Sequence, residues 1–215
     1  MRSYQEIARR IAKIILSPES AIGFIDGVLS VPKDIGYLAF GFIDTDSRYQ
    51  RESEKIRMLT AIKYGLLENH NFIKTIETVL DIFNKTVPED KQNAIYGKIM
   101  ASVAGRTITN SLIAAKLATI IAQRSSFLIT LRGGLIGNTL LIGGMVERCI
   151  YTSERLQQYN PEIYNRLRTR DLDLLYFLVE PALKPFVDAL KIRNTQGQVA
   201  FEKLLSMVEN EINAK

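Results

Sequence analysis

The sequence predicts an all-α protein, a bundle of about eight to ten helices around a central apolar hairpin. Three observations carry that expectation. Apolar residues recur at three-and-four spacing in segment after segment, helix-opening signals stand between them, and neither alternating strand patterns nor an internal repeat is present. The 215 residues are read as one domain, 1–215, long enough to bury a core without disulfides or metals.

The elements follow in order. In MRSYQEIARRIAKIIL, Ile7, Ile11, Ile14 and Ile15 share one face and Arg9, Arg10 and Lys13 the other, which predicts a short amphipathic helix. The stretch carries Glu6 and has no apolar run longer than Ile14-Ile15-Leu16, so no secretory signal peptide is expected in it. Ser17-Pro18-Glu19 reads as an N-cap, a first-position proline and a first-turn acid. Val31-Pro32-Lys33-Asp34 restarts the chain ahead of the nearly all-apolar IGYLAFGFI, residues 35–43. A polar stretch, DTDSRYQRESEK (44–55), leads into a helix carrying Ile56, Leu59, Ile62, Leu66 and Leu67.

His70 falls in the polar break LENHN, and a helix follows with Phe72, Ile73, Ile76, Val79, Leu80 and Phe83 at helical spacing. Thr86-Val87-Pro88-Glu89-Asp90 opens a long segment running towards Gln123. Asn160-Pro161-Glu162 caps a further helix. Asp171 opens DLDLLYFLVE, and Pro181 and Pro185 are expected to break or begin short helices. The last helix is expected from about Gln198 to Ile212, with Phe201, Leu204, Leu205, Val208 and Ile212 as its apolar stripe.

Composition narrows the chemistry. Cys149 is the one cysteine and His70 the one histidine, so no internal disulfide forms, and a zinc site would lack ligands. A Ser-His-Asp or Cys-His arrangement would have to run through His70, which reads as a loop residue. The acidic pairs Glu52 and Glu54, Asp171 and Asp173, and Asp44 and Asp46 are two residues apart and point in different directions on a helix. They are expected to be caps or solvated faces. RLRTR (166–170) reads as a solvated helix end before a headgroup or partner contact. No enzyme activity, cofactor or metal is expected.

Charge is distributed unevenly. Between Asp90 and Glu147 there is no acid, while Lys91, Lys98, Arg106, Lys116, Arg124 and Arg132 are all basic. That segment carries +6 of a net +5, leaving −1 for the rest of the chain. Its cations lie seven to ten residues apart among Ile, Leu, Ala and Gly, too sparse to track nucleic-acid phosphates. An anionic lipid surface attracts each cation by about 1 kcal/mol, and the apolar residues between could then bury. The same composition also suits a helical hairpin wrapped permanently by other helices, its cations reaching water along apolar surface.

The hairpin itself spans about 107–146. Its arms are TITNSLIAAKLATIIA (107–122) and FLITLRGGLIGNTLLIGGMV (127–146), joined by Gln123-Arg124-Ser125-Ser126 as a turn. At 1.5 Å per residue the arms are about 24 and 30 Å long, against a bilayer hydrocarbon thickness of about 30 Å. In the second arm ten large apolar side chains contribute roughly −3 to −6 kcal/mol on insertion, and a mid-helix arginine costs roughly 2.5 to 3.5. Its five glycines add further cost, so insertion is expected to be conditional. Gly133-Gly134-Leu135-Ile136-Gly137 lacks the spacing of a dinucleotide fingerprint or a P-loop. Gly133 and Gly137 instead make a GxxxG pair, suited to close helix contact in a membrane or in a core.

The length, helix number, hairpin and basic flanks resemble colicin-type pore-forming domains and the small pore-forming effectors used between competing bacteria. The resemblance is one of architecture, and the hairpin lies nearer mid-chain than in the colicin type. It implies a bundle of amphipathic helices around an apolar hairpin that enters a target cell's inner membrane. It also implies an immunity or neutralising partner, and export by a specialised system from the cytoplasm where the chain is made.

On the membrane reading, Ile113, Leu117, Ile120, Leu128, Leu135, Ile136, Leu140 and Leu141 insert. Lys116, Arg124 and Arg132 make headgroup or pore contacts, and Gly133 and Gly137 close helix contacts. Tyr151, Tyr159 and Tyr164 follow the hairpin, where interfacial and packing tyrosines are equally at home. The expected partners are anionic membrane lipids, with no nucleic acid. The alternative is a soluble interaction module (an adaptor, chaperone or immunity protein) that keeps the hairpin buried.

Overall fold

A computed structural model describes residues 3–21, 48–100, 106–124 and 139–214. In it α1 spans Tyr4–Leu16, α2 Arg48–Lys63, α3 Asn69–Thr86, α4 Glu89–Met100 and α5 Arg106–Arg124. Then come α6 at Thr139–Tyr159, α7 at Pro161–Arg168, α8 at Tyr176–Gln196 and α9 at Gln198–Asn213. Two single-turn 3-10 helices, Pro18–Ala21 and Leu172–Leu175, complete the described elements. The described residues contain no strand, and the all-α bundle expected from the sequence is the architecture found.

α8 is the central rod, packed against α1, α3, α6 and α9, while α1 also runs along α9. The stripes read from the sequence are the ones that meet. Ile7, Ile11, Ile14 and Ile15 of α1 and Phe201, Leu204, Leu205, Val208 and Ile212 of α9 are all buried. From α3, Phe72, Ile76, Val79, Leu80 and Phe83 join them, while Ile73 is only partly buried. Phe83 meets Phe186 edge to face at 5.2 Å between centroids and Phe201 at 6.2 Å. Such aromatic pairs add about 0.5–1.5 kcal/mol beyond the area they bury.

Pro181 and Pro185 correct the sequence reading. Both lie inside one continuous helix, α8, rather than at breaks. Pro185 has no N–H to give the Pro181 carbonyl one turn back, which would leave a buried acceptor unsatisfied. Arg10 supplies the missing donor: its Nη2 donates to the Pro181 carbonyl oxygen at 3.2 Å, and Arg10 is only 8% exposed. The arginine read as part of α1's polar face therefore turns inward and holds α1 to α8. Gly197 lets α9 follow at once, with φ of +87° in backbone space that side chains rarely occupy.

Smaller differences have local causes. Ser17-Pro18-Glu19 opens the 3-10 turn Pro18–Ala21, beyond which residues 22–47 lie outside the described residues. The segment after Pro88 carries α4 and α5, with 101–105 between them outside the described residues, as are Val31-Pro32-Lys33-Asp34, 35–43 and Asp44 and Asp46. His70 stands in the first turn of α3 rather than in a loop, exposed beside Glu68. Asn160 caps α7 as expected, its Oδ1 accepting from the Ile163 N–H at 3.2 Å.

Candidate functional site

α5, the first arm of the expected hairpin, buries one side only. Ile113, Leu117 and Ile120 point inward at 5%, 0% and 9% exposure. Lys116, Thr119 and Gln123 face outward, and Lys116 Nζ lies 3.1 Å from Glu19 Oε1. The main neighbour of α5 is α3, and a polar seam runs between them. Asn110 Nδ2 donates to Asp81 Oδ1 at 2.9 Å, Asn84 Nδ2 donates to Asn110 Oδ1 at 2.6 Å, and Ser111 Oγ donates to Glu77 Oε1 at 2.6 Å. Asn84 Oδ1 also accepts from the Tyr96 hydroxyl. Burial pushes the Tyr96 phenol above its ordinary pKa.

Of the second arm, Leu128, Arg132, Gly133, Leu135, Ile136 and Gly137 lie outside the described residues. Leu140 and Leu141 stand in the first turn of α6, and Arg124 ends α5. The described part of α6 packs on α7, α8 and α2. No described helix is long and apolar enough to cross a membrane.

A charged junction, which the sequence reading missed, is the most developed polar structure among the described residues. The stretch read as a polar lead-in is already helical from Arg48, and α2 turns its charges towards the protein. Arg51 is 3% exposed, whereas Ile56 and Leu59, apolar residues of the same helix, are 65% and 60% exposed. Met58 is the large apolar side chain that α2 buries fully.

The partners come from α6, α7 and the turn before α8. Glu147, the first acid after the acid-free segment, lies 2.8 Å from Lys55 Nζ and 3.6 Å from Arg51 Nε. Arg51 Nη1 also donates to the Tyr151 hydroxyl at 3.1 Å. Two residues beyond Lys55 on α2, Arg57 forks onto Asp173 with contacts of 3.0 and 2.7 Å. It also donates to Asp171 Oδ1 and Glu54 Oε2, each at 2.6 Å. Arg168 forks in turn onto Glu54 at 2.7 and 2.9 Å and touches Asp173 Oδ2 at 3.3 Å. Ser153 Oγ donates to the same Asp173 oxygen at 2.6 Å.

Asp173, expected as a cap or a solvated acid, is therefore fully buried at the centre of the cluster. Asp171 reaches it by adopting a left-handed backbone with φ of +56°, a conformation that aspartate tolerates better than most residues. Arg168, expected in a solvated helix end, is one of the two guanidinium forks. Burial opposes the charge on Glu54, but hydrogen bonds from Arg168 and Arg57 outweigh it and hold its carboxyl below its ordinary pKa of 4.5. Burial likewise disfavours the Arg57 cation, yet Asp173 raises its pKa further still. The Cys149 thiol, buried beside the cluster and donating to the Leu174 carbonyl at 3.1 Å, is pushed well up by burial and by the Asp173 charge.

Chemically this is a clasp. Each carboxylate is occupied by guanidinium, ammonium or hydroxyl donors, and among the described residues no group of three or more His, Cys, Asp or Glu is placed to hold a metal. Sequence spacing carried a trace of the cluster in Glu54-x-x-Arg57 and in the alternation of Asp171 and Asp173. The pairing across more than a hundred residues left no local signal. In comparisons with protein-family models, curated proteins and solved structures, the chain gives no significant match in any of the three.

Proposed function

We propose that the protein is a membrane-active helical protein of the pore-forming type. Its basic, acid-free hairpin enters an anionic membrane when uncovered, and permeabilises or depolarises it. The observation that carries this reading is the charge partition: +6 and no acid from Lys91 to Val146, in a chain whose remainder is −1. Arg51 and Lys55 of α2 meet α6 at Glu147, the residue where that segment ends. A helix held largely by ion pairs can be released by acid or by a competing anionic surface, which suits conditional insertion. An immunity partner and delivery to a target cell's inner membrane belong to the same proposal through the resemblance to pore-forming effectors.

One observation favours a second reading, a soluble interaction module. The polar seam of Asp81, Asn84 and Asn110 fixes α5 to α3 through hydrogen bonds that insertion would have to break.

Dye release from phosphatidylglycerol vesicles, measured across pH, separates the two. The membrane reading expects release that strengthens in acid. Arg132→Leu should accelerate it, because removing a mid-segment arginine lowers the insertion cost by roughly 2.5 to 3.5 kcal/mol. Absence of both release and vesicle binding at every pH overturns the membrane reading in favour of the module.

A further inference from the structure

A concave feature is lined by the last residue of α6, Tyr159, together with residues of α1 and α8. A cavity of about 440 Å³ opens there, with Ile7 and Ile192 on its apolar side and Tyr159, Lys184, Asp188 and Lys191 on its polar side. A smaller one of about 230 Å³ adjoins it and shares Tyr159 and Lys184. Cavities of some hundreds of Å³ with a few convergent polar groups are the usual form of small-molecule sites.

The electrostatics are unusual for a surface groove. Lys191 Nζ sits 3.5 Å from the centroid of the Tyr159 ring, and Lys184 Nζ approaches the same ring at 5.9 Å. Two ammonium groups therefore converge on one tyrosine that is 42% exposed. Lys184 is paired with Asp188 Oδ1 at 3.0 Å, whereas no described carboxylate forms an ion pair with Lys191. The smaller cavity's Arg155 and Glu180 neutralise each other at 2.9 Å, so one unit of positive charge remains, beside an apolar wall. Stacking on the ring holds the two cations together and leaves their outer N–H donors for a ligand.

We propose that this groove binds an anionic amphiphile, a phosphate or carboxylate head carrying an alkyl chain. The head bridges Lys184 and Lys191, and the first methylenes lie over the Tyr159 ring, Ile7 and Ile192. The groove lies outside the 107–146 hairpin, so the site goes beyond the membrane reading and stands without it. Two sources share this chemistry, a phospholipid in a bilayer and a free alkyl phosphate or fatty acid.

The test is calorimetric titration of the full-length protein with decyl phosphate monomers, ethyl phosphate and inorganic phosphate. Decyl phosphate should bind, with the other two at least about ten-fold weaker for want of the apolar contact. Lys191→Gln, checked for an unchanged circular dichroism spectrum, should weaken decyl phosphate about ten-fold, the loss of one charge-assisted hydrogen bond. If that variant fails to fold, Lys184→Gln carries the same comparison. Co-sedimentation with phosphatidylglycerol vesicles then assigns the source: loss of vesicle binding in the variant points to a bilayer lipid, and retention to a free amphiphile. No decyl phosphate binding, equal binding by the variant, or inorganic phosphate binding as tightly as decyl phosphate overturns the proposal. A variant that loses decyl phosphate but still releases vesicle dye separates this site from the hairpin.

Discussion

α9 and α2 are both 16 residues long and both turn one face inward, but the two faces are made of opposite materials. α9 buries Phe201, Leu204, Leu205, Val208 and Ile212, each at 0% exposure. α2 buries Arg51 with Met58, angles Glu54 and Arg57 into the clasp, and leaves Ile56 and Leu59 in water. Apolar burial is non-directional and needs only an apolar neighbour, so α9 would find a stable seat against many surfaces. Burial of a charge pays only where a partner of opposite sign has been delivered to within hydrogen-bond distance. The first kind of contact confers stability that pH hardly touches. The second is near break-even as a whole, costly to break by halves, and conditional on ionisation.

Four experiments break or sharpen this contrast. The largest effect is expected in the apolar region: Phe186→Ala removes a fully buried ring packed against Phe83, and should cost about 3–5 kcal/mol in urea unfolding with little dependence on salt. Asp173→Asn should cost about 2–3 kcal/mol, because Arg57 and Arg168 would keep their charges beside a neutral amide. Unlike the first variant, it should lower hydrogen-exchange protection in α2 more than in α9.

Arg10 makes the link between the two kinds of contact, a cation used inside the apolar region. Arg10→Met should cost about 1–2 kcal/mol by orphaning the Pro181 carbonyl. Adding Pro185→Ala restores an N–H to that carbonyl, so the double variant should recover part of the loss. Strict additivity of the two substitutions would show that the carbonyl is not the reason for the arginine.

The smallest effect is the pH dependence of α2. Glu54 has a folded pKa below its ordinary 4.5, so its ionised form is the one the fold favours. Its contribution is therefore complete above about pH 4.5 and is lost as pH falls through the lower folded value. Protection of α2 amides, corrected for intrinsic exchange, should hold above about pH 4.5 and fall as the pH drops below it, while that of α9 holds. Equal loss in both helices would mean that the clasp is not what acid opens.

Much of the bundle was legible because its stripes are local. The spacing of Ile7, Ile11, Ile14 and Ile15, or of Phe201, Leu204, Leu205, Val208 and Ile212, states which face turns inward, and each of these residues is buried. Ile113, Leu117 and Ile120, chosen for insertion, are inward-facing for the same reason. The misplaced residues share another property. Arg10, Arg168 and Asp173 were assigned by polarity alone, and their positions depend on what lies across from them.

The sequence by itself therefore determined the helical class, the apolar stripes, the Asn160 cap and the partition of charge, since each follows from residue type at short spacing. Only the tertiary structure decided that a helix with two internal prolines stays whole, that α2 faces inward with its charges, and that Tyr159 gathers two lysines. Each of those outcomes rests on a directional contact between residues far apart in the chain. A hydrogen bond or ion pair specifies its partner by distance and angle, which residue type at short spacing does not encode.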